Sequence, residues 1–265
     1  GIQMKVTPVE TSEVIGEKLV SRDIVPFMRK RNIEIVTSRM KPKTQFYVYF
    51  DDVDVTKFCT PKLIEVNMTS GVFQTGETVT SSGFTFRLAV PNHKEGPYNA
   101  PTKVLTANPY NIAAGISTVY STSSTLLNVD TFSLASQVLG EFSGHAKKGM
   151  KLVGQTSGAE ATITEVRLIS DTIGQLTCCY EVPNPNLDAN PRFETGTKTL
   201  RLTTSSTNSK LAGTVTGSAE ANFTSSGLLD TKQQTIQTTR VPQIERIDIE
   251  DQRVINNRVT KEVAQ

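Results

Sequence analysis

The sequence has no tryptophan, two histidines (His93 and His145), three cysteines and only 6% aromatic residues among 265. Each shortage removes a class of function. Without tryptophan the commonest stacking platform for sugars is missing, which weakens both a glycosidase and a sugar-binding adhesin. Neither histidine has a companion Cys or His at metal-ligand spacing, and no Gly-x-Ser-x-Gly elbow occurs. Cys59, Cys178 and Cys179 make neither a disulfide framework nor a metal site, since adjacent residues of a strand point to opposite faces. They read as buried or half-buried thiols of a protein made in a reducing cytoplasm. A charge excess is also lacking: 28 basic minus 26 acidic residues leaves +2. Charges of both signs are interspersed, apart from the run Met28-Arg29-Lys30-Arg31, so no nucleic-acid partner is expected. No stretch approaches the ~18 consecutive apolar residues of a membrane span, and Gly1 to Glu13 lacks the apolar centre of a signal peptide.

The remaining motifs are weak. Asp51-Asp52-Val53-Asp54 lacks the downstream Gly and Glu of a calcium loop and reads as a charged turn. Gly154 to Gly158 lacks the Lys-Ser/Thr ending of a phosphate loop. No cofactor, metal or catalytic residue is assigned, and the chain is not expected to be an enzyme.

What the sequence has in plenty is threonine, 36 residues, against a hydrophobic content of 37%. Threonine is β-branched and suits a half-exposed pleated surface. Alternating, β-branched or aromatic runs occur at Asn32–Thr37, Gln45–Phe50, Lys62–Met68, Phe73–Val79, Gly83–Val90, Ala161–Leu168, Gly174–Val182 and Phe193–Leu202. Ser157-Gly158 marks a hairpin turn before Ala161. Residues 129–139 are the one modest helix candidate. Residues 1–25 show no sustained period and read as an arm or edge segment. Residues 92–130, with Pro97, Pro101 and Pro109, read as a long irregular surface loop, and the chain after Thr203 as Ser/Thr/Gly-rich and extended. Segments so poor in period need a partner surface to offset the entropy of ordering them. Their apolar residues, Tyr98, Tyr110, Tyr120, Phe223 and Ile236, are the candidate interface anchors.

Four segments together resemble a known family. Lys41 to Val55, with its turn, aromatic strand and Phe50-Asp51-x-x-Asp54-Val55 pattern, is similar to part of large virion structural proteins of T-even-type myophages of marine cyanobacteria and related phages. Asn92–Asn99, Val153–Ala159 and Arg192–Lys198 follow in the same order. The resemblance implies a mainly β fold: an immunoglobulin-like sandwich from residues 30–66 plus 163–204, interrupted by a small inserted β module over 67–162. An arm at 1–29 and an extended connector at 205–265 would flank it. It implies a virion location, other virion structural proteins as partners, a homo-oligomeric or multi-copy assembly, and a tail, baseplate or fibre role. Family members are generally longer, so a fragment is expected. The alternatives are a receptor-binding adhesin for a host surface glycan and a virion-associated polysaccharide hydrolase.

Overall fold

The computed structural model describes residues 2–91, 93–95, 103–104, 119–136, 140–171, 173–248 and 253–257. The first elements are β1 (Ile2–Ile24), β2 (Arg31–Thr37), β3 (Gln45–Phe50), β4 (Val53–Asp54), a 3-10 turn at Thr56–Phe58, β5 (Cys59–Pro61) and β6 (Leu63–Ser70). Then come β7 (Thr78–Ser81), β8 (Phe84–Arg87), β9 (His93–Glu95), β10 (Lys103–Val104), β11 (Leu126–Asn128) and a short helix α1 (Thr131–Ala135), the one α-helix among the described residues. The rest is β12 (Lys151–Gly154), β13 (Glu160–Glu165), β14 (Leu168–Ile169), β15 (Leu176–Val182), β16 (Gly196–Thr203), β17 (Ser218–Ser225), β18 (Leu228–Asp248) and β19 (Arg253–Asn257). The protein is mainly β, as the threonine-rich alternation leads one to expect. It divides into two compact units, one of residues 26–227 and one of the two chain ends.

In residues 26–227 a sandwich is assembled from two separated stretches of chain. One sheet has the order β2-β15-β5; the other has the order β14-β3-β16-β17, with β4 added to β3. The alternation of β3 explains its place: Phe46, Val48 and Phe50 are fully buried and meet Met28, Phe193 and Leu202 in one core. Phe50 packs edge-on against Phe193, ring centroids 4.8 Å apart, and at a tilt against Tyr180. Such offset aromatic contacts each add about 0.5–1.5 kcal/mol to area burial. Gly174 closes the far end. Its φ of +77° and the 2.0 Å that would separate an added Cβ from the Met40 carbonyl oxygen leave room for glycine alone.

Between β5 and β14 the chain builds a second body. Its six antiparallel strands run β11-β6-β13-β12-β7-β8. A bridge between Leu88 and Val129, with Ala89 N–H donating to Asn128 O (2.8 Å) and Asp130 N–H to Arg87 O (2.9 Å), joins the two outer strands. The sheet therefore curls back on itself as a small barrel around Ile64, Phe84, Phe86, Leu127, Leu152 and Ile163. α1 follows directly, its N-terminus capped by Asp130, whose Oδ1 accepts from Ser133 N–H at 2.9 Å.

These limits correct the expected ones. Leu63–Val66 and Ile163–Glu165 belong to the barrel, and Ser218–Ser225 belongs to the sandwich. The stretch 119–130, expected as part of an irregular loop, supplies the closing strand. The Ser/Thr-rich segment after Thr203 is tied down: Tyr49 Oη donates to Ser206 O (2.6 Å), Arg201 donates to Asn208 Oδ1 and Ser209 O, and Lys210 pairs with Asp52 at 2.9 Å.

Sandwich and barrel share one strand. β15 is buried along its whole length. Cys178 and Tyr180 enter the sandwich core and Cys179 enters the barrel core. Glu181, on the same face as Cys179, lies 2.9 Å from His145 Nδ1 and 3.8 Å from Lys30 Nζ, so its buried charge is met. Arg167 forks onto Glu65 where the chain crosses between the bodies, and Ala146 N–H donates to Thr60 Oγ1 at 3.0 Å.

The other unit is a three-stranded sheet of order β1-β18-β19. β1 and β18 pair antiparallel from Ile2↔Asp248 to Ile24↔Leu228, with bulges near Val14 and Leu19. The register sets Lys5 opposite Glu245, Glu10 opposite Arg240 and Arg22 opposite Asp230, and no like charges face each other. Opposite charges placed directly across favour a register. Pro8 stands opposite Pro242. Neither has an N–H to exchange, so this is a non-hydrogen-bonded pair and the missing donors fall on the outer edges. The segments expected as separate arms are thus each other's partner.

Candidate interaction groove

The sandwich is open along one side. There β2 and β17 are both edge strands: among the described residues β2 pairs only with β15, and β17 only with β16. Between them lies a groove of about 420 Å³. Ile33 and Ile35 line one wall, and Leu200, Ala219 and Phe223 the other. Ile33, Leu200, Ala219 and Phe223 are only partly buried, where the sandwich core reaches the surface. The Phe223 ring lies 6.3 Å from that of Phe50, and the Arg31 guanidinium carbon 5.2 Å over its face, so a cation and the core hold the ring from two sides. Glu34 and Glu220 stand on opposite walls, and Arg201 Nε lies 3.6 Å from Glu220.

Natural edge strands are usually blunted by charges, proline or a bulge. β2 reads Arg-Asn-Ile-Glu-Ile-Val-Thr and β17 reads Ser-Ala-Glu-Ala-Asn-Phe-Thr-Ser; neither has a lysine, a proline or a bulge, and their charges are Arg31, Glu34 and Glu220. Both keep an unbroken register with their one partner. Two unbroken edges beside a partly apolar groove can receive an extended segment, whose backbone would pair with the edge while alternate side chains enter the groove.

The five expected anchors fare differently. Phe223 is at the groove. Tyr120 is corrected: it is buried, its hydroxyl donates to Ala89 O (2.6 Å) and receives Asn128 N–H (3.2 Å), and burial pushes its phenol well above the usual range. A side chain so used inside the barrel has nothing left for a partner. Ile236 sits on β18 opposite Val14. Tyr98 and Tyr110 lie outside the described residues. Ile33, Leu200 and Ala219 were missed, because a half-buried position at a sandwich opening has the same alternation as a core position. The unbroken, lysine-free composition of the two strands was the signal available.

The other candidate chemistry resolves into local roles. Asp51 and Asp52, with φ of 50° and 61°, make the tight turn from β3 to β4. Lys198 lies 3.6 Å from Asp51, and Lys210, hydrogen-bonded to Asp52, holds that carboxyl below its ordinary value. Burial raises all three thiols, Cys178 to about 12. Among the described residues no three His, Cys, Asp or Glu side chains gather as metal ligands. Comparison with known protein families, curated proteins and solved structures finds no match to this chain.

Proposed function

We propose that this chain is a structural component of a phage virion, a tail, baseplate or fibre connector. Its sandwich would be an immunoglobulin-like domain split by the barrel, and it would join its neighbours through strand addition and through its paired ends. The observation that carries this reading is the partly apolar groove between β2 and β17, each an edge strand with an unbroken register among the described residues. The four segments similar to phage virion proteins point the same way. So does the sheet made by the chain ends: it has three strands and, among the described residues, no second layer of its own. A sheet of that kind is marginal until something covers it.

Amide exchange compared between the isolated full chain and the assembled particle tests this. The outward N–H groups of Arg31–Thr37 and Ser218–Ser225 should exchange quickly in the isolated chain and become protected in the particle. Equal exchange in both states removes the argument for strand addition.

A further inference from the structure

A second concavity lies where sandwich and barrel meet. It is an open cleft of about 640 Å³, within the roughly 300–1,000 Å³ typical of small-ligand sites. Tyr47, Asp54 and Lys57 come from the sandwich; Lys147, Lys148 and Glu165 come from the barrel. The walls are fixed to each other by contacts already described: the shared strand β15, the Arg167–Glu65 fork, His145 against Glu181, and Ala146 N–H on Thr60 Oγ1. A ligand would thus meet a preformed cleft and spend little on ordering it.

The polar groups of the cleft are unevenly used. Lys148 donates to Glu165 Oε1 at 2.7 Å, and this pairing holds the Glu165 carboxyl below its ordinary value. Asp54 Oδ1 holds the Thr56 N–H at 3.0 Å. Lys57 comes from the sandwich and Lys147 from the barrel, and among the described residues neither has a carboxylate within ion-pair distance; Lys57 Nζ lies 5.1 Å over the Phe58 ring. Three lysines (Lys57, Lys147 and Lys148) against two carboxylates (Asp54 and Glu165) leave the cleft with a positive excess that favours an anion. Two carboxylates in the same cleft repel a purely acidic ligand but accept hydroxyl hydrogen bonds. Tyr47, half-buried, is the aromatic side chain that lines the cleft, in a chain without tryptophan. One ligand chemistry has a negative group, many hydroxyls and a flat apolar face.

We propose that this cleft binds an anionic saccharide, with Lys57 and Lys147 taking its negative group, Asp54 and Glu165 its hydroxyls, and Tyr47 one face of the ring. This goes beyond the connector reading and does not depend on the groove. The anion can be a sugar carboxylate or a sugar phosphate; both satisfy the same pair of lysines.

The test is calorimetric titration of the full chain at low ionic strength. The panel is tetragalacturonate, trimeric sialic acid, a phosphorylated disaccharide, methyl-esterified tetragalacturonate and a tetraglutamate peptide. At least one acidic sugar should bind, and the carboxylate and phosphate members identify the source of the anion. Lys57→Ala with Lys147→Ala should weaken that binding about tenfold, a change equal to losing about 1.4 kcal/mol. Tyr47→Ala should weaken it several-fold and Tyr47→Phe should not. Lys151→Ala, which removes a lysine paired with Glu160 outside the cleft, should leave it unchanged. The proposal is overturned if no acidic sugar binds at millimolar concentration, if the methyl ester binds as well as the acid, or if Lys151→Ala matches the loss. Tetraglutamate binding as tightly as the sugar also overturns it, and makes the cleft a docking site for acidic peptides.

Discussion

Glu77 is 5% exposed, yet its carboxyl oxygens have partners: they accept from the N–H groups of Gln74, Thr156 and Ser157 and from Ser157 Oγ, at 2.7–3.0 Å. The turn between β12 and β13 is an anion cradle, and the chain fills it with its own side chain. Gly154 fits closely beside it: an added Cβ would fall 2.6 Å from Glu77 Oε1 and Ser157 Oγ, so either side chain would have to shift. Glu77→Gln would aim an amide donor at these donors. It should lower stability by about 2–4 kcal/mol, read from the urea midpoint of the full chain; an unchanged midpoint would mean that the cradle contributes nothing. The Ser157-Gly158 turn was legible in the sequence, but its occupant, about 80 residues away, was not. The thiols make a second residue-scale prediction. Burial raises them, so between an ordinary thiol's 9.0 and the value of about 12 at Cys178 the native chain holds protons that the unfolded chain has lost. Stability from these groups is complete below pH 9 and falls as pH rises through that window. Alkylation at pH 8 should accordingly label none of the three cysteines in the native chain and all three after unfolding.

At the scale of elements, β1 and β18 show what single-segment periodicity misses. Neither strand has a clean apolar face in its own sequence, so the first reads as an arm or edge segment and the second as a weakly alternating extended connector. Their agreement lies in the pairing: Val6 with Ile244, Val9 with Val241, Thr11 with Thr239, and the three opposite-charge pairs. Strands with strong local alternation, such as β3, were legible within a residue of their limits, because burial on one face imposes period two. The proline pair gives a test. Pro8 lies at a non-hydrogen-bonded position, so Val9, opposite Val241, must donate inward. Val9→Pro should remove that donor and speed amide exchange across residues 5–13 and 237–245. Pro8→Val should leave the ladder between the strands unchanged. Equal exchange in the two variants would overturn the register.

At the scale of the whole molecule, the barrel is no independent bead threaded into a loop. β15 is buried on both sides, and its outward face, with Cys179 and Glu181, needs the barrel to cover it. Replacing residues 63–165 by a short Gly/Ser linker should yield a sandwich that binds a hydrophobic dye and loses its near-ultraviolet dichroism; a cooperative, dye-silent product would show that the two bodies are separable. Here too the sequence was legible in part. The unbroken run Leu176–Val182 marked a strand, but a strand buried by two different cores looks in sequence like one buried by a single core. The ends of the chain carry one more consequence, a mechanical one. Ile2 and Asp248 face each other at the open end of the ribbon, and the two strands run on to Ile24 and Leu228. Tension applied at Ile2 and Asp248 would load those pairs one after another, so the ribbon would unzip at low force rather than shear. Opening the ribbon in this way would release up to about 150 Å of chain, at roughly 3.3 Å per residue over both strands.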